Sequence, residues 1–359
     1  MRRLIAREFS LVRPFKFEVK KRTISSIPKG FVLLKPIVAG ICGSEMLYFK
    51  GQKEKEKLEE RLPICLLHEG VAEIIEVGKG VEMEKRTKVI VNPLLPCGKC
   101  AACKMGIGEN FCQNSKYMAA TADGLARTFF VHPQERVIPI PTGIELEVAA
   151  LTEPLSIALN AFEESEIGRK EKVAVIGDGT IGYLISLIVS FVGKTPKENL
   201  YLFGIVDKKL SLAKDFAVTV NSIKEKPEVK RAQQSFDALF ESVGGKAQEI
   251  TLEQAFDLLK PAGRLMVLGL SGGKVPINTN RLVNKGLLLK GIVRSRLEHY
   301  KMIIDLLMND DFREKVKRII SKRKFIIRSA EDLEEAFRFA DTEEGEARIQ
   351  PGKVLVYFP

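Results

Sequence analysis

The sequence predicts an α/β protein that combines a β-rich unit with a doubly wound parallel sheet. Residues 12–140 read as short apolar segments separated by turns, which is the pattern of a β-rich unit. From about Glu147 onward, apolar strands alternate with helical periodicity, as in a parallel sheet with helices on both faces. The 359 residues, 45% of them hydrophobic, suffice for about two domains of ~100–200 residues each.

The elements follow in order from their apolar patterns. In the β-rich part, segments 31–36 and 71–77 are apolar, and a Gly-Lys-Gly turn follows the second. Residues 148–164 have helical periodicity. The strands predicted after them are 172–176, 200–206, 218–220, 236–241, 264–268 and 287–292, and the helices are 181–192, 208–216, 250–259 and 300–308.

The charge balance is basic, with 57 Lys and Arg against 46 Asp and Glu and a net charge of +11. Such an excess can attract nucleic acid or favour phosphorylated small molecules. The basic residues are scattered and mixed with Glu, as in segment 53–61, which we expect to be a solvated helix or loop. This distribution favours a small-molecule substrate, one that carries phosphate, over nucleic acid.

Two features argue against a membrane or secreted protein. The longest uncharged apolar stretch, 179–193, is shorter than the ~18–20 residues of a membrane span. The basic N-terminal residues are interrupted by Arg7 and Glu8 before an apolar signal segment can form. We therefore expect a cytoplasmic protein with no membrane partner.

Four of the six cysteines form one cluster. Cys97, Cys100, Cys103 and Cys112 have the spacing C-x2-C-x2-C-x8-C. Four thiolates complete a closed tetrahedral shell, so this spacing predicts a structural zinc site rather than disulfides. Cys65 lies outside every motif and is expected in the core.

A nucleotide site is predicted where strand 172–176 meets the following helix. The segment Gly177-Asp178-Gly179-Thr180-Ile181-Gly182 has the form G-x-G-x-x-G. The first glycine allows a tight turn, the second lets the backbone approach a pyrophosphate, and the third allows helix and strand to pack closely. The helix N-terminus then faces the phosphates. The predicted cofactor-binding residues here are Gly177, Gly179, Thr180, Ile181 and Gly182.

The end of the next strand distinguishes the two nicotinamide cofactors. NAD sites place Asp or Glu there for the ribose 2′-hydroxyl, and that carboxylate would repel a 2′-phosphate. The strand most naturally ends at Gly204, which leaves Asp207 as the N-cap of a helix. Because Lys208 and Lys209 follow and no carboxylate ends the strand, the sequence favours NADP(H) over NAD(H).

Three further motifs complete a family pattern. They are Cys42-Gly43-Ser44-Glu45, His68-Glu69-Gly70 and the sequence LTEPLS at 151–156. Together with the cysteine cluster and the nucleotide motif, they resemble the zinc-containing medium-chain dehydrogenase/reductases, specifically the polyol dehydrogenase branch. The resemblance covers essentially the whole chain. It implies a GroES-like catalytic domain at 1–150, completed by 293–359, with a Rossmann domain inserted at 151–292.

The resemblance also implies roles for individual residues. The implied ligands of a catalytic zinc are Cys42, His68, Glu69 and Glu153, the two glutamates binding directly or through water. Ser44 matches the hydroxyl that passes the substrate proton, and Tyr48 and Arg294 match positions that line the substrate pocket. We thus expect one catalytic and one structural zinc per chain. The family also suggests a homo-oligomer, a dimer or tetramer.

Within that branch, several stretches look most like the reductases that make ribitol 5-phosphate from ribulose 5-phosphate with NADPH. These stretches are 66–71, 177–183, 236–245, 280–283 and 294–295. They imply hydride transfer between a ketose phosphate and its polyol phosphate, with Arg294, Arg296 and Arg281 as candidates to bind the phosphate. Two alternatives stay open: an NAD-dependent dehydrogenase of a free polyol or other secondary alcohol, and, more distantly, a zinc-ribbon nucleic-acid binder.

Four positions depart from the family pattern. Leu67 replaces the usual glycine before His-Glu. Glu45 replaces the common aspartate and leaves a carboxylate available to orient a metal ligand. Leu47 stands where many alcohol dehydrogenases have a relay histidine, so proton exit must use Ser44, water or another route. Eight residues follow Cys103 before the last cysteine where seven are usual, so this loop is expected to bulge.

Overall fold

The computed structural model describes residues 3–341, residue 349 and residues 352–359. The strands are β1 (Leu4–Arg13), β2 (Lys16–Ile24), β3 (Phe31–Gly40), β4 (Ile64–Cys65), β5 (Glu69–Val77), β6 (Lys88–Val91), β7 (Leu94–Leu95), β8 (Lys116–Tyr117), β9 (Phe130–Pro133), β10 (Val137–Pro139), β11 (Val173–Ile176), β12 (Leu200–Gly204), β13 (Val218–Asn221), β14 (Phe236–Glu241), β15 (Leu259–Val267), β16 (Leu288–Gly291), β17 (Ile320–Ile326) and β18 (Lys353–Tyr357).

The helices are α1 (Gly43–Phe49), α2 (Lys55–Arg61), α3 (Ala101–Lys104), α4 (Leu146–Ala149), α5 (Thr152–Ser165), α6 (Thr180–Phe191), α7 (Asp207–Leu210), α8 (Lys226–Arg231), α9 (Gln248–Leu258), α10 (Thr279–Lys285), α11 (Leu297–Leu307), α12 (Asp310–Lys317) and α13 (Ala330–Ala340). Single 3-10 turns include Glu109–Phe111 in the segment 97–112, called the cysteine lobe below, and Ser211–Ala213 after α7.

Strands β11 to β16 form one parallel sheet in the order β13-β12-β11-β14-β15-β16. Its central strand β11 is apolar and fully covered, as expected of a parallel sheet with helices on both faces. The strand order reverses between β11 and β14, and this switch point opens a crevice at the carboxyl ends of the strands. The predicted doubly wound sheet is confirmed, and β14 spans the residues predicted for it.

The second large sheet joins the two ends of the chain. Its order is β10-β6-β5-β3-β18-β17, and β9 also pairs with β3. The antiparallel pairing of β18 with β3 brings the C-terminal strand into the β-rich unit. Since β11 to β16 lie within 151–292 and the other strands lie outside it, these sheets support the inserted-domain boundaries, which we retain as a proposal.

The predicted helix 148–164 is two helices, α4 and α5. The break falls at Ala150 and Leu151, and Leu151 is the N-cap residue of α5. Pro154 has no N–H to donate and is accommodated in the first turn of α5, where no intrahelical acceptor is needed. Helix α5 packs against α6 and α11, so it contacts helices on both sides of the proposed boundary at 292/293.

The prediction for segment 208–216 was wrong in two respects. The helix is short, ending at Leu210 and continuing as a 3-10 turn. Asp207 is not the N-cap but the first helical residue, with Val206 at the cap. The Asp207 carboxylate instead accepts from Asn221 Nδ2 at 2.6 Å and pairs with Lys224 Nζ at 2.5 Å, because Asn221 ends the adjacent strand β13 and Lys224 lies just beyond it.

Candidate active site

The pairing of two antiparallel strands brings Cys42, His68 and Glu69 together. Strand β3 ends at Gly40 and β5 begins at Glu69, and these two residues face each other in the sheet. The donor atoms of Cys42, His68 and Glu69 lie within 4.8 Å of one another, and His68 and Glu69 are buried. A thiolate, an imidazole and a carboxylate form a donor set that suits zinc and leaves a position for substrate or water.

Glu45 orients the imidazole of His68. Helix α1 begins directly after Cys42, and its first turn places the Glu45 carboxylate between the two donors. Glu45 Oε1 accepts from His68 Nδ1 at 2.7 Å, and Oε2 accepts from the Cys42 N–H at 3.1 Å. With Nδ1 engaged, Nε2 is the nitrogen left to bind a metal. This arrangement agrees with the orienting role expected of a carboxylate at this position.

The residue before His68 has a left-handed backbone. Leu67 has a φ of 72° and is fully buried. Glycine adopts this conformation without strain, whereas leucine does so only where its surroundings hold it. Leu125 N–H donates to the Leu67 carbonyl at 2.6 Å, and Ala126 N–H donates to the Leu66 carbonyl at 3.0 Å. These contacts hold the turn that aims His68.

A buried ammonium group pairs with Glu69. Lys353, the first residue of β18, has Nζ 2.7 Å from Glu69 Oε1 and 2.5 Å from Oε2. Gly40 makes room for the pair, since a side chain there would meet Glu69 Oε2 at 2.6 Å and Lys353 Cε at 2.8 Å. Burial would lower the pKa of Lys353, but the Glu69 carboxylate raises it above its ordinary value. Each charge therefore compensates the other inside the protein.

Glu153 lies in the first turn of α5, beside the cluster of the three donors. Tyr117 Oη donates to Glu153 Oε1 at 2.7 Å, and the Tyr117 ring centroid is 5.5 Å from that of His68. Burial raises the pKa of Glu153 to about 7 against the lowering influence of His68, and Glu69 adds to the rise. Of the two implied acidic ligands, Glu69 is thus the one grouped with Cys42 and His68.

Ser44 and Tyr48 both lie on α1, next to the cluster. Ser44 Oγ donates to Cys42 Sγ at 3.3 Å. Tyr48 is only 9% exposed, and burial raises its pKa. The helix that starts after Cys42 therefore carries both side chains that the sequence assigned to proton transfer and to the pocket wall.

The guanidinium of Arg294 lies against the ring of Tyr117, the residue that bonds to Glu153. Its Cζ lies 5.2 Å from the Tyr117 ring centroid, and its Nη1 donates to Ser115 Oγ at 2.5 Å. Its backbone is left-handed, with a φ of 51°, and Asn160 Nδ2 donates to its carbonyl at 2.8 Å. Among the described residues no carboxylate pairs with Arg294, so its charge is available to an anionic ligand.

The other two phosphate candidates have carboxylate partners. Arg296 Nη2 lies 2.9 Å from Glu163 Oε2. Arg281 Nη1 lies 2.7 Å from Glu253 Oε2, and Nη2 pairs with Asp257. Because these charges are already neutralised, the pairings disfavour both arginines as phosphate ligands.

The four-cysteine lobe is a second group of metal donors. The four Sγ atoms lie within 4.8 Å of one another, and Cys100 Sγ is 3.5 Å from Cys103 Sγ and 3.8 Å from Cys112 Sγ. Backbone N–H groups of Cys103 and Gln113 lower the pKa of Cys100 to about 6. Tetrahedral zinc with Zn–S bonds of ~2.3 Å separates its sulfur ligands by ~3.8 Å, so the residues present fit a zinc ion.

The loop between Cys103 and Cys112 connects the lobe to the segment that carries Arg294. Glu109 accepts from Arg136 through both oxygens, at 2.8 and 2.7 Å, and from the Leu297 N–H at 2.8 Å. Asn110 Nδ2 donates to the Val293 carbonyl at 3.3 Å. The lobe therefore holds the chain on both sides of Arg294.

The nucleotide motif adopts the backbone that its glycines predict. Gly177 has a φ of 121°, and a side chain there would meet Ser242 Oγ at 2.5 Å. A side chain at Gly182 would collide with the Gly177 carbonyl oxygen. Gly179 has open space around it, directly before Thr180 and Ile181 begin α6. The N-terminus of α6 is therefore free to receive a phosphate at the switch point.

Strand β12 ends at Gly204, as predicted for the ribose site, and is two residues shorter than the strand 200–206 expected from the apolar run. A side chain at Gly204 would meet Asp178 Oδ2 at 2.5 Å, because that oxygen accepts from the N–H groups of Ile205 and Val206 at 2.7 Å each. The strand end therefore offers no carboxylate of its own. Lys208 is exposed and Lys209 half-buried, and burial lowers the pKa of Lys209.

Three residues were not predicted: Tyr117 and Lys353, which bond to Glu153 and Glu69, and Lys53, which lies over the ring of Tyr48. Tyr117 lies between motifs and has no pattern around it. Lys353 offers a weak signal, as a lysine that opens an apolar strand. Lys53 was missed because it belongs to the charged segment 53–61, which was expected to be solvated and most of which is the helix α2.

Comparisons with known proteins found two family models that match separate parts of the chain. The family described as "Alcohol dehydrogenase GroES-like domain" matches residues 28–142, and "Zinc-binding dehydrogenase" matches residues 199–309. Ribulose-5-phosphate reductase 1 of Staphylococcus aureus is 31% identical over 93% of this chain and 95% of its own length. L-threonine 3-dehydrogenase of Pyrococcus furiosus is 32% identical over 76% of this chain and 78% of its own.

Solved structures extend the likeness to the whole fold. The crystal structure of S. aureus TarJ in complex with NADPH has a TM-score of 0.78 and 28% identity, covering 99% of this chain and 100% of that one. Among the described residues, no helix is both long and apolar enough to span a membrane. The resemblance seen in the sequence is confirmed: the chain is an oxidoreductase that belongs to the zinc-containing medium-chain dehydrogenase/reductase family.

Proposed function

We propose that this chain reduces the carbonyl of a pentulose phosphate, such as ribulose 5-phosphate, to the polyol phosphate with NADPH. The observation that carries the proposal is the likeness to ribulose-5-phosphate reductase 1 of S. aureus over 93% of the chain. The half-buried cation of Arg294, which no carboxylate neutralises among the described residues, supports an anionic substrate. We also propose that the chain acts as a homo-oligomer.

Two zinc ions per chain fit the donors. Cys42, His68 and Glu69 would hold the catalytic ion, with Glu153 close enough to act through water. The structural ion would occupy the four-cysteine lobe. When bound, the catalytic zinc acts as a Lewis acid that polarises the substrate carbonyl and stabilises the negative charge on its oxygen.

The residues around this centre supply position and a proton. Ser44 Oγ, 3.3 Å from Cys42 Sγ, is placed to give its proton to the substrate oxygen as the hydride of NADPH reaches the carbonyl carbon. Leu47 has no proton to relay, so Ser44 regains its proton from water. Tyr48 walls the pocket from α1, and Arg294 attracts the anionic end of the substrate. The ketose phosphate, NADPH and one proton thereby give the polyol phosphate and NADP+.

The preference for NADP(H) rests on the end of β12. Asp178 occupies the space that a side chain at Gly204 would need. The Asp178 carboxylate is engaged by the N–H groups of Ile205 and Val206, and a 2′-phosphate there would find Lys208 and Lys209 on the following helix. Gly177 to Gly182 would bind the pyrophosphate.

The purified, zinc-replete protein tests this proposal directly. NADPH and NADH are each offered with ribulose 5-phosphate, xylulose 5-phosphate, fructose and sorbose, and oxidation of the nicotinamide is followed by absorbance. We expect the highest kcat/KM with ribulose 5-phosphate and NADPH. Reduction of free fructose or sorbose with NADH, without turnover of either phosphate, would favour the NAD-dependent polyol dehydrogenase. Metal analysis should give about two zinc ions per chain.

A further inference from the structure

Lys53 is a cation with no carboxylate partner among the described residues. Its neighbours in the charged segment are paired: Lys55 lies 3.8 Å from Glu59 and Lys57 lies 2.9 Å from Glu54. Lys53 Nζ instead lies 5.2 Å from the ring centroid of Tyr48, which is 9% exposed. A cation held against a buried aromatic ring keeps its charge available to a ligand.

This ammonium group is linked to the donor cluster through Tyr48 and helix α1. Tyr48 belongs to α1, which begins directly after Cys42. Lys53 Nζ lies over the ring of Tyr48, so this contact connects the ammonium group to the helix whose N-cap is Cys42. A ligand bound at the donors can therefore extend along Tyr48 to reach Lys53.

Lys53 also lines a cavity of about 390 Å3 between the two units. One wall consists of Lys53, Glu54 and Lys57. The opposite wall is formed by residues 269–273, beyond the carboxyl end of β15, and by Gln248 at the start of α9. Ligands of doubly wound sheets bind outside the carboxyl ends of the strands, so this cavity is on the ligand-binding side.

We propose that Lys53 binds the phosphoryl group of the substrate in this cleft and helps to select a phosphorylated ketose. The proposal rests on the function proposed above. A substrate whose carbonyl lies at Cys42 and His68 must direct its phosphate away from the donors. Lys53 and Arg294 both lack a carboxylate partner among the described residues, and they lie over Tyr48 and Tyr117 respectively. Both can face an anionic ligand, and of the two Lys53 lines this cavity.

The cofactor also carries phosphates that Lys53 could bind. The order of strands in the parallel sheet places the cofactor motifs and the cavity of Lys53 at different strands. The pyrophosphate motif follows β11, and Lys208 and Lys209 follow β12 on one side of it. The cavity of Lys53 lies at β15, on the other side of β11 and beyond β14. This position assigns Lys53 to the substrate rather than to the 2′-phosphate of the cofactor.

The test compares Lys53→Met with Lys53→Arg and with Lys55→Met, a control from the same charged segment. Steady-state kinetics are measured with ribulose 5-phosphate and with free ribulose, and the Kd for NADPH is measured by fluorescence. We expect Lys53→Met to raise KM for ribulose 5-phosphate about 30-fold, because a charge-assisted bond is lost. The free sugar, the NADPH Kd and the Lys55→Met variant should stay unchanged, and Lys53→Arg should recover most of the affinity.

Three results would overturn the proposal: an equal loss on both sugars, a raised NADPH Kd with an unchanged KM for ribulose 5-phosphate, or no change at all. If the wild type fails to reduce any phosphorylated ketose, the proposed function fails by itself. The role of Lys53 is then tested by the change in Tm that inorganic phosphate causes in the wild type and in the variants. Stabilisation of the wild type and of Lys55→Met, but not of Lys53→Met, supports a phosphoryl site, and equal stabilisation of all three rejects it.

Discussion

The two groups of metal donors in this chain are assembled in opposite ways. The cysteine lobe is local: its four thiols lie within 97–112, and backbone N–H groups of the same segment point at the sulfurs. The cluster of Cys42, His68 and Glu69 forms only when β3 and β5 pair, and it is completed by Lys353 from the C-terminal strand. A local donor set can form from chain geometry alone, whereas a dispersed set depends on the whole sheet.

The largest effect should come from Cys42→Ser, which removes one donor of the dispersed cluster. We expect kcat/KM to fall by about a thousandfold, because the loss of a Lewis acid removes several kcal/mol of stabilisation from the transition state. Metal analysis should show the loss of about one zinc ion per chain, with the lobe still loaded. Cys65→Ala is the matched control, since Cys65 is a buried thiol outside both donor groups, and it should keep its metal and most activity. Full metal content in Cys42→Ser would mean that Cys42 is not a ligand.

The second effect concerns the free energy of unfolding. It tests how much the donor cluster depends on Lys353, which belongs to the C-terminal strand β18. Lys353→Met leaves the Glu69 carboxylate buried without its partner, so the free energy of unfolding should fall by about 3 kcal/mol. Urea unfolding of the metal-free protein measures this change, because zinc bound at Glu69 would itself offset the charge of the carboxylate. The double variant Glu69→Gln with Lys353→Met should recover most of the loss, because no isolated charge remains.

Lys324 provides the control for that measurement. It lies on the neighbouring strand β17, and its side chain is 65% exposed and 3.4 Å from Glu147. Lys324→Met should change the free energy of unfolding by less than about 1 kcal/mol, as is usual for an exposed ion pair. If both variants lose the same free energy of unfolding, the buried pair between Lys353 and Glu69 contributes no more to stability than an exposed ion pair.

The same contrast explains what the sequence could predict. The spacing of the four cysteines defined the lobe directly, since all the donors lie close together along the chain. Cys42, His68 and Glu69 were assigned as zinc ligands only through the family resemblance, because no local sequence pattern predicts that β3 and β5 pair. Lys353 is 284 positions from Glu69, and nothing in its own segment indicates that β18 lies beside β3.

The fold shows the same division between local and long-range information. Strand β14 was predicted with its observed ends because its apolar run is complete in itself. The helix expected at 208–216 ends at Leu210, and Asp207, expected to cap it, instead bonds to Asn221 and Lys224 from a later part of the chain. Sequence patterns therefore predicted the elements and the nucleotide motif, while the side chains that complete the candidate site depended on contacts between distant segments.

The third prediction asks whether the lobe influences the active site. Glu109→Gln weakens three bonds, two from Arg136 and one from the Leu297 N–H, which fix the segment of Arg294. We expect KM for ribulose 5-phosphate to rise about tenfold with kcat changed less, since one charge-assisted contact contributes about 1.5 kcal/mol. Glu135→Gln, an exposed neighbour with no partner among the described residues, should behave as wild type. An unchanged KM in Glu109→Gln would confine the lobe to a purely structural role.

The smallest effect should come from Ser115→Ala, which removes the hydroxyl that accepts from Arg294 Nη1 and that itself donates to the Cys112 carbonyl at 3.1 Å. One hydrogen bond contributes about 1 kcal/mol, so KM for ribulose 5-phosphate should rise about fivefold, and KM for free ribulose should not change. Asn160→Ala is the informative comparison, because Asn160 holds the Arg294 carbonyl from α5 rather than from the lobe. If both variants raise KM equally, the lobe and α5 share the positioning of Arg294. If only Asn160→Ala does so, the inserted unit positions the arginine, and the coupling between the two donor groups inferred from Glu109 and Asn110 is contradicted.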